Sequence, residues 1–99
     1  MFQDAGQLAQ LIDHTLVRPD ATLKDLAAAC ADAKRYGFAC VVVNSGHVAA
    51  ARDQLAGTLV KVCSVVGFPH GANTTTVKIV EAMEAMKNGA AELDIVMNI

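Results

Sequence analysis

Val60-Lys61-Val62-Cys63-Ser64-Val65-Val66-Gly67 is an apolar run interrupted by one charge. A strand with one wet side alternates apolar and polar residues, whereas a near-continuous run of this length suits a parallel strand covered on both faces. Phe68-Pro69-His70-Gly71-Ala72-Asn73 breaks it with turn residues. Thr74 to Thr76 then offer caps for a helix, with Ile79, Val80, Met83 and Met86 expected inward and Lys78, Glu81, Glu84 and Lys87 outward. Methionines at helical spacing read as core filling. Gly89 ends this helix, and a strand followed by a helix is the unit of the fold.

Outward from this unit the same pattern recurs. Thr22 can cap a helix carrying Leu23, Leu26, Ala27, Cys30 and Ala33 on one face, with Gly37 where a left-handed C-terminal cap belongs. Phe38 to Val43 is a β-branched run bounded by Gly37 and Asn44-Ser45-Gly46, which predicts a strand. A helix with Val48, Ala51 and Leu55 on one face follows and ends at Gly57. Upstream, Phe2 to Gln10 is read as a short helix and Leu11 to Val17 as a strand; downstream, Ala91 to Ile99 is the last strand.

The expected order is a helix followed by β-α-β-α-β-α-β, an α/β fold with parallel strands filling residues 1–99 as a single domain. Right-handed crossovers between neighbours place every crossover helix on one face of the sheet and leave the other bare. A closed eight-stranded barrel uses that face as its lumen, and a doubly wound sheet covers both faces; four strands do neither. The expectation is therefore a parallel βα half-barrel of the TIM-barrel type, completed by homodimerisation. The fourth strand of one copy would pair with the first strand of the other around a twofold axis.

Composition narrows the partners. With 54% hydrophobic residues, 18% charged residues and a formal charge of −2, the chain is globular, and its charge is too small and mixed for nucleic acid. The start lacks a basic segment followed by an apolar run, and no apolar stretch approaches the roughly 18 residues of a membrane helix. A cytoplasmic location follows as an expectation, with no membrane association. Cys30, Cys40 and Cys63 lie in apolar elements without Cys/His ligand spacing, so they read as reduced core residues and no metal is expected.

The active face of a parallel βα barrel is built from the carboxyl ends of its strands. Asp13, His14 and Thr15, Asn44 and Ser45, His70, and Asp94 and Asn98 are placed toward that end, while Lys61 opens its strand at the other. Alternation on the last strand sets Leu93, Ile95, Met97 and Ile99 toward the helices and Glu92, Asp94, Val96 and Asn98 toward the lumen. A lumenal Asp94 requires a polar partner and points to function; alternatively, Glu92 and Asp94 guard an exposed edge strand, and spacing leaves both open. Asp13 reads equally as a tie to neighbouring backbone amides. His14 reads as structural, His47 as exposed at a helix start, and His70 as the histidine best placed to meet a substrate. G-x-S-x-G, P-loop, G-x-G-x-x-G and H-E-x-x-H motifs do not occur.

Several motifs in one order resemble the first half of the deoxyribose-phosphate aldolase family. They are Leu11-Ile12-Asp13-His14-Thr15-Leu16 with Pro19-Asp20-Ala21-Thr22, Tyr36-Gly37-Phe38-Ala39, Val60-Lys61-Val62-Cys63 running into Gly67-Phe68-Pro69-His70-Gly71, and Ala91-Glu92-Leu93-Asp94-Ile95-Val96. The resemblance implies a TIM barrel and a class I aldolase that cleaves 2-deoxyribose 5-phosphate through a lysine Schiff base, without metal or other cofactor. It implies that Asp94 is a catalytic proton-transfer residue and that Asp13 and Thr15 belong to the substrate pocket, to which Asn44 and His70 are added by placement. The family's Schiff-base lysine and phosphate loops belong to later strands and match nothing here. Asn44-Ser45-Gly46-His47 departs from the usual Asn-Pro continuation, and Val42 stands where many members have cysteine. The chain alone is thus expected to be inactive, its partner being a second copy or a complementary carboxyl-terminal half-barrel. A self-assembling structural module without catalysis is the alternative, and a small phosphosugar-binding protein a third.

Overall fold

The structure, a computed structural model, describes residues 5–98. Its elements are α1 (Ala5–Ala9), β1 (Asp13–Leu16), α2 (Leu23–Tyr36), β2 (Cys40–Val43), α3 (Val48–Leu55), β3 (Lys61–Val66), α4 (Thr75–Lys87) and β4 (Glu92–Ile95), with a 3-10 turn over Ser45–His47. The start of the expected first helix, Phe2 to Asp4, and Ile99 of the last apolar set lie outside the described residues. All neighbouring strands pair in parallel, in the order β1-β2-β3-β4, with Asp13 opposite Cys40, Cys40 opposite Lys61 and Cys63 opposite Glu92. This is the open, four-stranded parallel sheet of a partial TIM-type barrel.

Local chemistry starts and stops the helices where the sequence indicates. Thr22 accepts from the Asp25 amide while the Asp25 carboxylate accepts from the Thr22 amide, a reciprocal cap that opens α2. These Thr22 hydrogen bonds hold the Asp25 carboxyl below its ordinary value. Gly37 closes α2 in the left-handed region, at φ 69°, and donates its N–H to the Ala33 carbonyl.

The core lies between the sheet and its helices. Val41, Val43 and Val62 of the strands meet Leu26, Cys30 and Ala33 of α2, Val48, Ala51 and Leu55 of α3, and Ala85 of α4. Burial of each valine or leucine side chain contributes about 1.5–3 kcal/mol. Leu23, expected on the inward face of α2, is 67% exposed, and Ala29 is buried instead. It belongs to the first helical turn, ahead of the region where α2 meets the sheet.

Helix α4 departs further from expectation. Ile79, Val80, Met83 and Met86, expected inward, are all more than half exposed, and the buried residue is Ala85. Lys78, Glu81 and Ala82 share its half-buried side. Small side chains at Ala82 and Ala85 permit a close approach, and two hydrogen bonds to Glu81 fix which side faces the sheet.

Among the described residues no crossover helix covers the second face of the sheet, as the topology requires, yet its centre is not wet. Cys40, Val42, Cys63 and Val65 form a second cluster with Val17, each of the four no more than 6% exposed. Their side chains are short and lie between the exposed polar residues of the outer strands, Asp13 and Thr15 on β1 and Glu92 and Asp94 on β4. Among the described residues, no helix is long and apolar enough to cross a membrane.

Candidate active face

The face without helices gathers most of the candidate residues. Cross-strand partners in a sheet point the same way, so Thr15 opposite Val42 and Asp94 opposite Val65 stand on the side of the Cys40–Val65 cluster. Asp13 is there too, its Oδ1 accepting a 3.0 Å hydrogen bond from the Cys40 thiol. Leu93 packs on the opposite, helix-side core, as alternation expects. Thr15 and Asp94 occupy the two outer strands, three strand spacings or roughly 14 Å apart along the sheet. His14 turns to the helix side, where its ring centroid lies 5.3 Å from that of Phe38 and its Nε2 3.9 Å from Asp32. That is a structural setting.

The electrostatics of this face are acidic. Burial pushes the Cys63 thiol up to about 11, with further contributions from Asp94, Glu92 and Asp13, in that order. Cys40 is pushed up more strongly, by burial first and then by the Asp13 hydrogen bond and charge. Both thiols are therefore protonated and poorly nucleophilic near neutral pH. The carboxylates are the groups able to accept or deliver protons. Lys61 approaches Glu92 at 3.8 Å, at the amino end of the strands. Also at that end is a cleft of about 510 Å³ lined by Asp13, Lys34, Cys40, Lys61 and Glu92, away from Asn44 and His70. Among the described residues, no group of three or more His, Cys, Asp or Glu side chains is arranged to hold a metal ion.

At the carboxyl end, hydrogen bonds tie the strand ends together. Asn44 donates its side-chain amide to the Val17 carbonyl at 3.1 Å. Beside it, Ser45 Oγ donates to Glu81 Oε2 at 2.7 Å, and Glu81 Oε1 accepts the Gly67 N–H at 2.7 Å. The turn after β3, which contains the cis Phe68–Pro69 peptide, closes with Gly71 N–H donating to the Gly67 carbonyl at 2.7 Å. Gly71 is buried against the chain that leaves β4: an added Cβ would sit 2.3 Å from the Met97 carbonyl oxygen and 2.9 Å from Val96 Cγ1. Val96 N–H donates to the Val66 carbonyl.

Asp13, Thr15 and Asp94 thus share one face, while Asn44 and His70 stand at its carboxyl rim, His70 exposed in the β3 turn. Asp13, expected toward the carboxyl end, stands at the amino end instead, because pairing of β1 with β2 begins at Asp13 and Cys40. His47, expected exposed, is half-buried, with its Nδ1 enclosed and without a hydrogen-bond partner. Cys40 and Glu81 escaped sequence reasoning as contributors. A thiol in an apolar run and a carboxylate on a charged helix stripe give no local sign of partners 27 and 36 residues away.

Comparison with known proteins adds a family context. A family model described as "DeoC/LacD family aldolase" matches residues 7–99. A deoxyribose-phosphate aldolase of Methanothermobacter thermautotrophicus is 56% identical over 93 residues, which is 94% of this chain and 42% of that protein. One from Caldanaerobacter subterraneus subsp. tengcongensis is 52% identical over 92 residues, covering 93% of this chain and 40% of its own length. Among solved structures, the tetrameric deoxyribose phosphate aldolase of Aeropyrum pernix superposes with a TM-score of 0.92 at 37% identity, over 99% of this chain and 42% of that one. A protein described as "QR15, an Aldolase" gives a TM-score of 0.87 at 38% identity, over 98% and 42% of the two chains. The chain spans about 40% of the length of the curated relatives it matches.

Proposed function

Because this chain belongs to the DeoC/LacD family of aldolases, we propose that it supplies four strands and their connecting helices to a barrel that cleaves 2-deoxy-D-ribose 5-phosphate to glyceraldehyde 3-phosphate and acetaldehyde. One observation carries the reading: 99% of the chain superposes on 42% of an aldolase with a TM-score of 0.92. What it matches is less than half of a larger aldolase. Both sheet edges also bear exposed apolar side chains, Leu11 and Ile12 before β1 and Ile95 on β4.

In this reading an amine condenses with the open-chain sugar aldehyde and water leaves to give an iminium. A base takes the C3 hydroxyl proton as the C2–C3 bond breaks and its electrons pass into the iminium, and the resulting enamine is protonated at C2 and hydrolysed to acetaldehyde and free amine. Asp94 moves protons with water as the Schiff base forms and hydrolyses, Asp13 and Thr15 line the pocket, and Asn44 and His70 border the substrate. The amine comes from the complementary half. Lys24, Lys34, Lys78 and Lys87 sit on helices, and Lys61 opens β3 at the amino end beside Glu92. The chain alone is inactive; the completed barrel needs no cofactor and acts in the cytoplasm on a small phosphosugar.

Borohydride trapping with deoxyribose phosphate, followed by intact mass, tests this. The chain alone gives no adduct. Mixed with the carboxyl-terminal part of the Methanothermobacter relative it yields cleavage and an adduct on the partner, and Asp94→Asn slows turnover by about 10²-fold or more. An adduct on the isolated chain would refute the assignment. The two apolar edges favour a second reading, a homodimer in which β4 of each copy pairs with β1 of the other; static light scattering at monomer mass refutes it.

A further inference from the structure

Glu81 stands on α4, outside the face that holds Asp94, yet its carboxylate joins two turns at the carboxyl rim. One oxygen takes the Ser45 hydroxyl and the other the Gly67 N–H, each at 2.7 Å. Hydrogen bonds to an ionised carboxylate are short and about twice as strong as neutral ones. None of the ion pairs among the described residues includes Glu81, so its charge is met by these fixed donors.

The placement of its two partners gives the contact its reach. Ser45 directly follows Asn44, whose amide is anchored on Val17 at the end of β1. Gly67 opens the turn that carries His70 and is closed by Gly71, which in turn lies against Met97 and Val96 beyond β4. One carboxylate thereby fixes the turn after β2 relative to the turn after β3.

We propose that Glu81 is a positioning residue: it sets where Asn44 and His70 stand over the sheet without itself meeting substrate. This deepens the aldolase reading, which supplies the substrate, while the geometry is a property of the chain itself.

The test uses nuclear magnetic resonance of the isotopically labelled chain with Glu81→Ala, Glu81→Gln and Ser45→Ala, and no substrate. In Glu81→Ala the Gly67 amide exchanges about tenfold faster or more, and the Asn44 side-chain amide and His70 ring signals move. Glu81→Gln, which keeps a carbonyl acceptor, restores the Gly67 protection and the His70 signal. Ser45→Ala, a milder change that answers the question if Glu81→Ala fails to fold, shifts both Asn44 and His70. Loss of thermal stability with unmoved Asn44 and His70 signals would overturn the proposal, since a merely structural carboxylate does that. Failure of the reconstitution assay with these shifts present would sink the aldolase reading and leave the positioning role standing.

Discussion

Gly71→Ala tests whether the turn after β3 is truly wedged against the chain leaving β4, and Gly37→Ala is its internal control. Both glycines are in the left-handed region, at φ 68° and 69°, where a Cβ costs about 1–2 kcal/mol. Both substitutions also remove a similar amount of freedom from the unfolded chain, so that contribution cancels in the comparison. The surroundings differ. Nothing lies within 4 Å of an added Cβ at Gly37, whereas at Gly71 it would meet the Met97 carbonyl oxygen at 2.3 Å, its carbon at 2.8 Å and Val96 Cγ1 at 2.9 Å. Two of those atoms are backbone, so relief requires moving the segment that follows Asp94, and such overpacking costs roughly 1–3 kcal/mol more. In a domain of this size each kcal/mol shifts Tm by about 4–8 °C. Thermal unfolding followed by circular dichroism should therefore place Gly71→Ala at least about 4 °C below Gly37→Ala. Equal midpoints for the two variants would refute the close approach and, with it, the coupling of the β3 turn to β4.

Three further outcomes follow from the packing and the caps. Leu26→Ala, at a side chain 1% exposed between α2 and the strands, should cost about 2–5 kcal/mol, read from urea midpoints; a loss under about 1 kcal/mol contradicts the assigned core. Thr22→Ala removes a reciprocal cap and should cost about 1 kcal/mol by the same measurement. Because the folded Cys63 thiol is raised from 9.0 to about 11, the unfolded chain loses its proton first as pH climbs. Stability due to this group is therefore intact below pH 9 and falls between pH 9 and 11, and urea titrations at pH 8 and 10 should show it. Cys63→Ala lessens that decline, and the part due to Cys40, whose thiol is raised more strongly, remains.

What could be read from the sequence was what local chemistry decides. Thr22 and Gly37 delimit α2 because caps act within a few residues, and alternation set Asp94 opposite Leu93 because strand geometry has a period of two. Asp13 and Thr15 share that face by the same rule, but alternation was applied only to the last strand, and strand end placed them together with His14, which turns to the other face. The strands came out shorter than their apolar runs because pairing stops where the chain turns away from its neighbour, as at Val17 and Phe38. Helix α4 misled for a different reason. Hydrophobic spacing reports every surface a helix was selected to cover, and Ile79, Met83 and Met86 remain uncovered here. Glu81 was invisible since its value lies in Ser45 and Gly67, both distant in sequence and joined to it only by folding.

Laying the ribs down in chain order has a kinetic consequence. Each new strand docks on the one made just before it, across intervals of roughly 20 to 30 residues, so every ladder can form from polypeptide already synthesised. At roughly 5–20 residues per second on the ribosome, each helix-and-strand instalment has about a second or more to settle before the next emerges. In the barrel proposed above, closing the ring waits for a strand from outside these four, and pairing of such distant partners is intrinsically slow.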